Sequence, residues 1–220
     1  MKQIMAEEVQ DRIAKEGIIA VLEIESERNA VPLAKALLDG GVAVIELALR
    51  TPAAIPSILQ IIKDVPQMFI GAGTIIEKGQ AKTVKELGVR FGVSPGLNPD
   101  IVREAIAADL PFAPGIATPS ELDLAITLGC NVVKLFPAEG MGGLNYLKSI
   151  NGPYNHLGVK YIPLGGVTVE NLPGYAQFMP VLAVGGSWIA NRELINSQDW
   201  KEISRRAKEA KDIWQRSRQN

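Results

Sequence analysis

The chain has 220 residues, 47% hydrophobic and 21% charged, the balance of an ordinary globular protein. A formal net charge of -1 excludes a general attraction to nucleic acid or to an anionic membrane, so an anionic substrate would have to be held by local groups. Cys130 is the only cysteine, which excludes an internal disulfide and suits a reducing compartment.

The first segment, MKQIMAEEVQDRIAKEG, carries acidic residues and no continuous apolar core, so it reads as a helix and not as a secretory signal. No apolar run approaches the ~20 residues that span a bilayer. A cytoplasmic protein with no membrane partner is the expectation. From there, short apolar runs alternate with longer amphipathic ones. Strands are predicted at GIIAVLEI (17–24), VAVIELAL (42–49), MFIGAG (68–73), RFGVS (90–94), FAPG (112–115), NVVKLF (131–136), KYIPLGG (160–166) and VLAVGG (181–186).

Helix-like segments fill the gaps. In ERNAVPLAKALLDGG the apolar Val31, Ala34, Leu37 and Leu38 fall at helical spacing. PDIVREAIAAD and PSELDLAITLG open on proline, whose missing N–H costs nothing in a first turn. The stretch from Trp200 reads as a last helix with a basic end and a solvated outer face. Cys130, between a helix and a strand, reads as a packed bystander thiol.

Strand–helix repetition with apolar strands argues a parallel sheet covered by helices. Eight such units without a linker favour a single (β/α)8 TIM barrel over residues 1–220 rather than an open doubly wound sheet. The additional N-terminal helix is expected to cover the N-terminal end of the barrel.

Function in such barrels collects at the carboxyl ends of the strands. Those positions are rich in Gly, Pro and polar residues here: ELALRTP, GAGT, SPGLNP, PGIATPSE, KLFPAE, LGGVT and VGGSW. The last two strands end in Gly165-Gly166 and Gly185-Gly186-Ser187. Loops after strands seven and eight form the recurrent phosphate site of this architecture, where backbone N–H groups and a helix N-terminus receive the dianion. Either pair alone is as well explained by a tight turn; the two together favour phosphate, with Ser187 adding a hydroxyl.

Two charges fall inside apolar strands. Lys134 has apolar neighbours in VVKLF, a costly place for an ammonium group unless it is paired or loses its proton. A free lysine titrates near 10.4, and making it a nucleophile at neutral pH takes about 4 kcal/mol of differential interaction, which apolar walls can supply. The structural alternative is a lysine reaching out from the strand rim or pairing with a carboxylate.

Glu46 poses the same problem in VIELALR. Alternation puts Val44, Glu46, Ala48 and Arg50 on one face, and the wholly apolar Ile45, Leu47 and Leu49 on the other. The apolar face belongs against helices, which turns Glu46 inward and places Arg50 inward near the rim. Glu46 is on the second strand and Lys134 on the sixth, and alternate strands fill common interior layers. The two side chains are therefore expected to meet over the barrel axis, with a purely structural ion pair as the alternative.

Glu23 falls in strand register near the rim, without an assignable role, and Glu139 reads as an exposed carboxylate at a helix start. His156, the only histidine, precedes the seventh strand at the opposite end from the site. A histidine base, a bound metal or another cofactor is therefore not expected.

On GGVAVIELALRTPAA, IGAGTI, VSPGLNP, PGIATPSE, VVKLFPAE, PLGGVT and VGGSW, from about Ile18 to Trp188, the chain resembles the 2-keto-3-deoxy-6-phosphogluconate (KDPG) aldolase family, which overlaps with 4-hydroxy-2-oxoglutarate (KHG) aldolase. The resemblance implies a class I, Schiff-base lyase of the Entner-Doudoroff pathway, acting on a small 2-keto acid and assembled as a homotrimer. It implies Lys134 as the imine-forming amine and Glu46 as general acid/base. Arg50 and Thr74 would lie at the substrate carboxylate, Pro95 and Phe136 along the pyruvyl pocket, and Gly165, Gly166, Gly185, Gly186 and Ser187 at phosphate. Leu164 stands where many relatives have Thr, and Glu23 where they often have Arg or a neutral residue, so the preferred substrate stays open. Two other functions remain on the same residues: a phosphosugar isomerase or epimerase with Glu46 as base, and a non-catalytic barrel that binds a phosphorylated metabolite.

Overall fold

The computed structural model describes residues 4–219. Its strands are β1 (Ile18–Leu22), β2 (Val44–Ala48), β3 (Phe69–Gly73), β4 (Phe91–Val93), β5 (Phe112–Ala113), β6 (Gly115–Ile116), β7 (Val132–Leu135), β8 (Lys160–Pro163) and β9 (Val184–Gly186). All pairings are parallel, in the orders β5-β4-β3-β2-β1-β9 and β6-β7-β8. Only Pro114 separates β5 from β6, and isolated bridges Tyr161–Val181 and Leu164–Gly185 tie β8 to the segment of β9. The parallel sheet therefore curls round an interior.

Two predicted strands need correction. The fifth, expected unbroken over 112–115, is split because Pro114 has no N–H to give to a ladder, although its carbonyl still accepts from Lys134 N at 2.9 Å. The eighth, expected from Val181, begins at Val184, and Val181 makes only the bridge to Tyr161.

Alternation sorts the strand residues between two apolar layers. Ile18, Ala20, Leu22, Ile45, Leu47, Val133 and Leu135 join the layer between sheet and helices. Ile19, Val44, Val93, Val132 and Ile162 join an interior cluster, together with Met5, Val9 and Ile13. Val9 and Ile13 come from α1 (Glu7–Glu16), so this helix packs against the interior cluster.

Helices α2 (Ala30–Asp39), α3 (Ala54–Asp64), α4 (Gln80–Glu86), α5 (Pro99–Ala107), α6 (Pro119–Thr127), α7 (Gly143–Asn151), α8 (Leu172–Gln177), α9 (Arg192–Asn196) and α10 (Trp200–Arg218) follow the strands. Both proline starts hold. Asn98 caps α5 by accepting from Asp100 N, and Thr118 with Glu121 forms a capping box on α6. On α10, Arg205 and Arg206 bond to Glu202 and hold its carboxyl down at about 2, while the helix packs against α2 and α8. Among the described residues no helix is long and apolar enough to cross a membrane.

Two outcomes are expected. Ile13→Ala removes an apolar side chain from the interior cluster and should lower unfolding free energy by about 2–5 kcal/mol in a urea titration. Cys130 is buried and its thiol is pushed up to about 12 by that burial, so it stays protonated at neutral pH. Native protein at pH 8 should resist iodoacetamide, and denatured protein should take one label.

Candidate active site

A cavity of about 300 Å³ opens at the carboxyl ends of the strands, with Glu46 and Lys134 in its wall. Arg50, Thr74, Pro95 and Phe136 line it as well, as do Gly165, Gly166, Gly185, Gly186 and Ser187. Every candidate residue read from the sequence thus borders one space. Of the glycine- and proline-rich strand ends, the one after β6, at PGIAT, contributes nothing to the lining.

The two charges reach each other from opposite walls. Glu46 is central in β2 and Lys134 in β7, and both residues are buried, at 3% and 5% exposure. Lys134 Nζ donates to Glu46 Oε1 at 3.2 Å. Val44 and Val132, one interior step below on the same strands, give the pair an apolar floor. Removing either partner would strand a buried charge, which typically costs about 3–5 kcal/mol.

Room for the carboxylate is cut by sequence. A Cβ on Gly73 would stand 2.1 Å from Glu46 Oε1, so only glycine leaves that space on β3. On the lysine side, the Phe136 ring centroid lies 5.3 Å from Nζ, a cation–π contact that also narrows access. A proton moved from Nζ to Oε1 leaves a neutral amine beside a neutral acid without changing the charge of the site. That exchange exposes a nucleophilic lone pair and stores the proton beside it.

At the other end of the cavity the Leu164–Gly185 bridge sets the two glycine pairs side by side. Gly165 and Gly166 have φ of +91° and +89°, a region L side chains rarely adopt, and a Cβ on Gly166 would meet Glu139 Cβ at 2.6 Å. Glu139 N donates to Gly165 O at 2.9 Å, and Tyr175 donates its hydroxyl to Glu139 Oε1 at 2.5 Å. Glu139 is exposed at the start of a 3-10 turn, as expected, and it braces the glycine loop.

One part of the phosphate expectation is corrected. Neither glycine pair opens directly into a helix: α8 starts only at Leu172, and α9 only at Arg192, after a bend over 187–190. The chain has to turn outward here before it can wind. At this end the cavity wall is glycine backbone and Ser187 rather than a helix terminus.

Arg50 borders the cavity near the rim, as expected, but not as a strand residue. It lies in a turn beyond β2, where strand alternation no longer governs direction, and its side chain is half exposed. The guanidinium pairs with Glu23 at 3.0 Å while still bordering the cavity. Val21 in the wall was not singled out from the sequence, although its place two residues before Glu23 on a strand could have marked it. Arg192, at the mouth, had no local signal. His156 lies in a 3-10 segment before β8 and does not border the cavity.

Thr74 carries visible strain. Its φ is 60°, an outlier for a β-branched residue, and it borders the cavity directly after β3.

Fold and cavity together define an α/β protein with a buried lysine–carboxylate pair at the carboxyl ends of parallel strands. The chain belongs to the KDPG and KHG aldolase family, whose model matches residues 9–206. The KHG/KDPG aldolase of Escherichia coli K12 is 38% identical over 193 residues, 88% of this chain and 90% of the relative. A KDPG aldolase from Legionella pneumophila, solved with pyruvate captured at low pH as a covalent carbinolamine intermediate, superposes with a TM-score of 0.86 at 37% identity, covering 90% of this chain and 96% of that one. The 2-keto-3-deoxy-6-phosphogluconate aldolase of Zymomonas mobilis ZM4, solved with 3-phosphoglycerate, gives a TM-score of 0.84 at 37% identity, covering 94% and 97%.

The strain at Thr74 yields a two-sided outcome. Thr74→Gly should raise unfolding free energy by about 1 kcal/mol by removing the left-handed penalty, less the extra entropy glycine loses. The same variant should bind the keto acid less tightly, read as a higher KM. A variant that is both less stable and unchanged in KM would contradict a role for the strained side chain in the cavity.

Proposed function

We propose that this protein is a class I aldolase that reversibly cleaves 2-keto-3-deoxy-6-phosphogluconate to pyruvate and glyceraldehyde 3-phosphate, or 4-hydroxy-2-oxoglutarate to pyruvate and glyoxylate. The observation that carries the reading is the buried contact of Lys134 Nζ with Glu46 Oε1, 3.2 Å, in a cavity ending on two glycine pairs. Family membership sets the substrate class.

The chemistry follows from the pair. Lys134 adds to the substrate's C2 carbonyl, giving a carbinolamine; loss of water leaves an iminium. The iminium accepts the electrons of the C3–C4 bond while the C4 hydroxyl proton passes to the Glu46 carboxylate, and the aldehyde departs. Glu46 then returns that proton to C3 of the enamine, and water adds to the iminium to free pyruvate and the amine. A positioned acid/base of this kind typically contributes about 10²–10⁴-fold. The carbinolamine in the Legionella relative is the species expected at the first step.

Arg50 and Thr74 hold the C1 carboxylate, and Pro95 and Phe136 wall the pyruvyl group. The glycine pairs and Ser187 receive a terminal phosphate; the 3-phosphoglycerate bound by the Zymomonas relative is a ligand of that chemistry. We read the curled sheet as a (β/α)8 barrel, counting β5 and β6 as one strand, with α1 as its additional N-terminal helix. One domain spans residues 1–220, and the protein works in the cytoplasm as a homotrimer, as the family resemblance implies.

Borohydride trapping tests the Schiff base directly. Protein incubated with pyruvate and borohydride should gain the mass of one reduced pyruvyl group on Lys134, and Lys134→Ala should gain nothing and lose pyruvate release. An active sample without an adduct on Lys134 would leave Glu46 as the base of an isomerase or epimerase. Binding without turnover of either substrate would leave a metabolite-binding barrel.

A further inference from the structure

Past Ser187 the catalytic cavity opens into a second, outer one, and the two share Val21, Arg50 and Ser187 in their walls. Glu23 lines only the outer one. The strand brings it there: Val21 pairs in register with Glu46 and joins the interior cluster, so Glu23 faces the same way one step nearer the mouth.

Its side chain is 15% exposed, and each carboxylate oxygen meets a guanidinium: Oε2 meets Arg50 at 3.0 Å and Oε1 meets Arg192 at 3.1 Å. Arg192 also pairs with Glu25, whose other oxygen accepts from Asn196 Nδ2 at 2.6 Å. Thr51 steadies the arginine loop by donating to the Ile24 carbonyl at 2.5 Å. Both arginines of the mouth are thus engaged by an acid for which the aldol chemistry has no use.

We propose that Glu23 is a specificity-determining residue that disfavours a substrate carrying a second carboxylate on C4 and selects the longer hydroxylated chain with a terminal phosphate. The proposal rests on the aldolase reading above. With C2 on Lys134 and the C4 hydroxyl at Glu46, the substituent on C4 runs outward to the glycine pairs and the mouth. A second carboxylate there needs a cation. Arg50 is taken up by the C1 carboxylate, Arg192 already pairs with both Glu23 and Glu25, and Glu193 adds negative charge to the same wall. A hydroxylated chain donates to carboxylate oxygens instead of being repelled by them. Its phosphate reaches the glycine backbone and Ser187 and needs no arginine.

The experiment compares kcat/KM for 2-keto-3-deoxy-6-phosphogluconate and 4-hydroxy-2-oxoglutarate, with thermal melting recorded on the same samples. Glu23→Gln keeps shape and acceptor but drops the charge, and should shift the ratio about three- to tenfold toward the dicarboxylate, mostly through KM. Arg192→Met should shift it the other way, since it leaves the acid with one fewer counter-charge. Glu25→Gln, whose carboxylate lies outside both cavity walls, should leave the ratio as it is, and Glu23→Asp should restore most of it. Parallel changes for both substrates in active Glu23→Gln or Arg192→Met protein overturn this proposal alone. Wild-type protein inactive on both substrates overturns the aldolase reading, and this proposal with it.

Discussion

Everything in the site depends on two opposite charges that share one dry place. Lys134 and Glu46 are nearly inaccessible to water, and neither could be held there ionised without the other. Such a pair is a poor device for stability, since its desolvation consumes most of what the contact returns. It is a good device for chemistry, because a proton can pass between nitrogen and oxygen without unbalancing the charge. An amine that gave up its proton in this way would keep the acid beside it.

The surroundings can be read as layers serving that pair. Lowest is α1, with Val9 and Ile13 packed against the interior cluster; above it come Val44 and Val132, which keep water from reaching the charges from below. At the level of the pair, Gly73 withholds a side chain so that the Glu46 carboxylate fits. Above are the strained Thr74, the Phe136 ring and the two glycine pairs, where backbone is exposed to a ligand. Apolar packing at the bottom gives way to polar and conformationally unusual residues at the top, the order expected when rigid strands support a reactive rim.

Charge at the mouth is handled differently from charge at the centre. Arg50, Arg192, Glu23 and Glu25 form a chain of ion pairs that are partly solvated, so each contact is individually weak. Their contribution to fold stability is correspondingly small. The two glycine pairs add uncharged backbone to the wall of the inner cavity, with Glu139 bracing Gly165 and Gly166 from behind.

The amino-acid pattern by itself determined the parallel α/β architecture, the inward face of β2 and the pairing of Lys134 with Glu46, because strand alternation and burial of charge are local rules with few solutions. The glycine pairs and Ser187 at the last two strand ends were legible in the same way, one segment at a time, whereas Thr74, Pro95 and Phe136 came only through the family resemblance, and Val21 in the cavity wall was missed. The break of the fifth strand follows from Pro114 itself and was there to be read; only the tertiary structure decided the bends that keep α8 and α9 away from the glycine pairs and the pairing of Arg50 with Glu23. Those features rest on what lies across the sheet: a turn residue has no alternation to follow, and Arg50 goes where Glu23 draws it. Arg192 is the clearest case. It stands 169 positions from Glu23 in the chain, a separation no local pattern spans, and only the parallel pairing of β1 with β9 brings the two together.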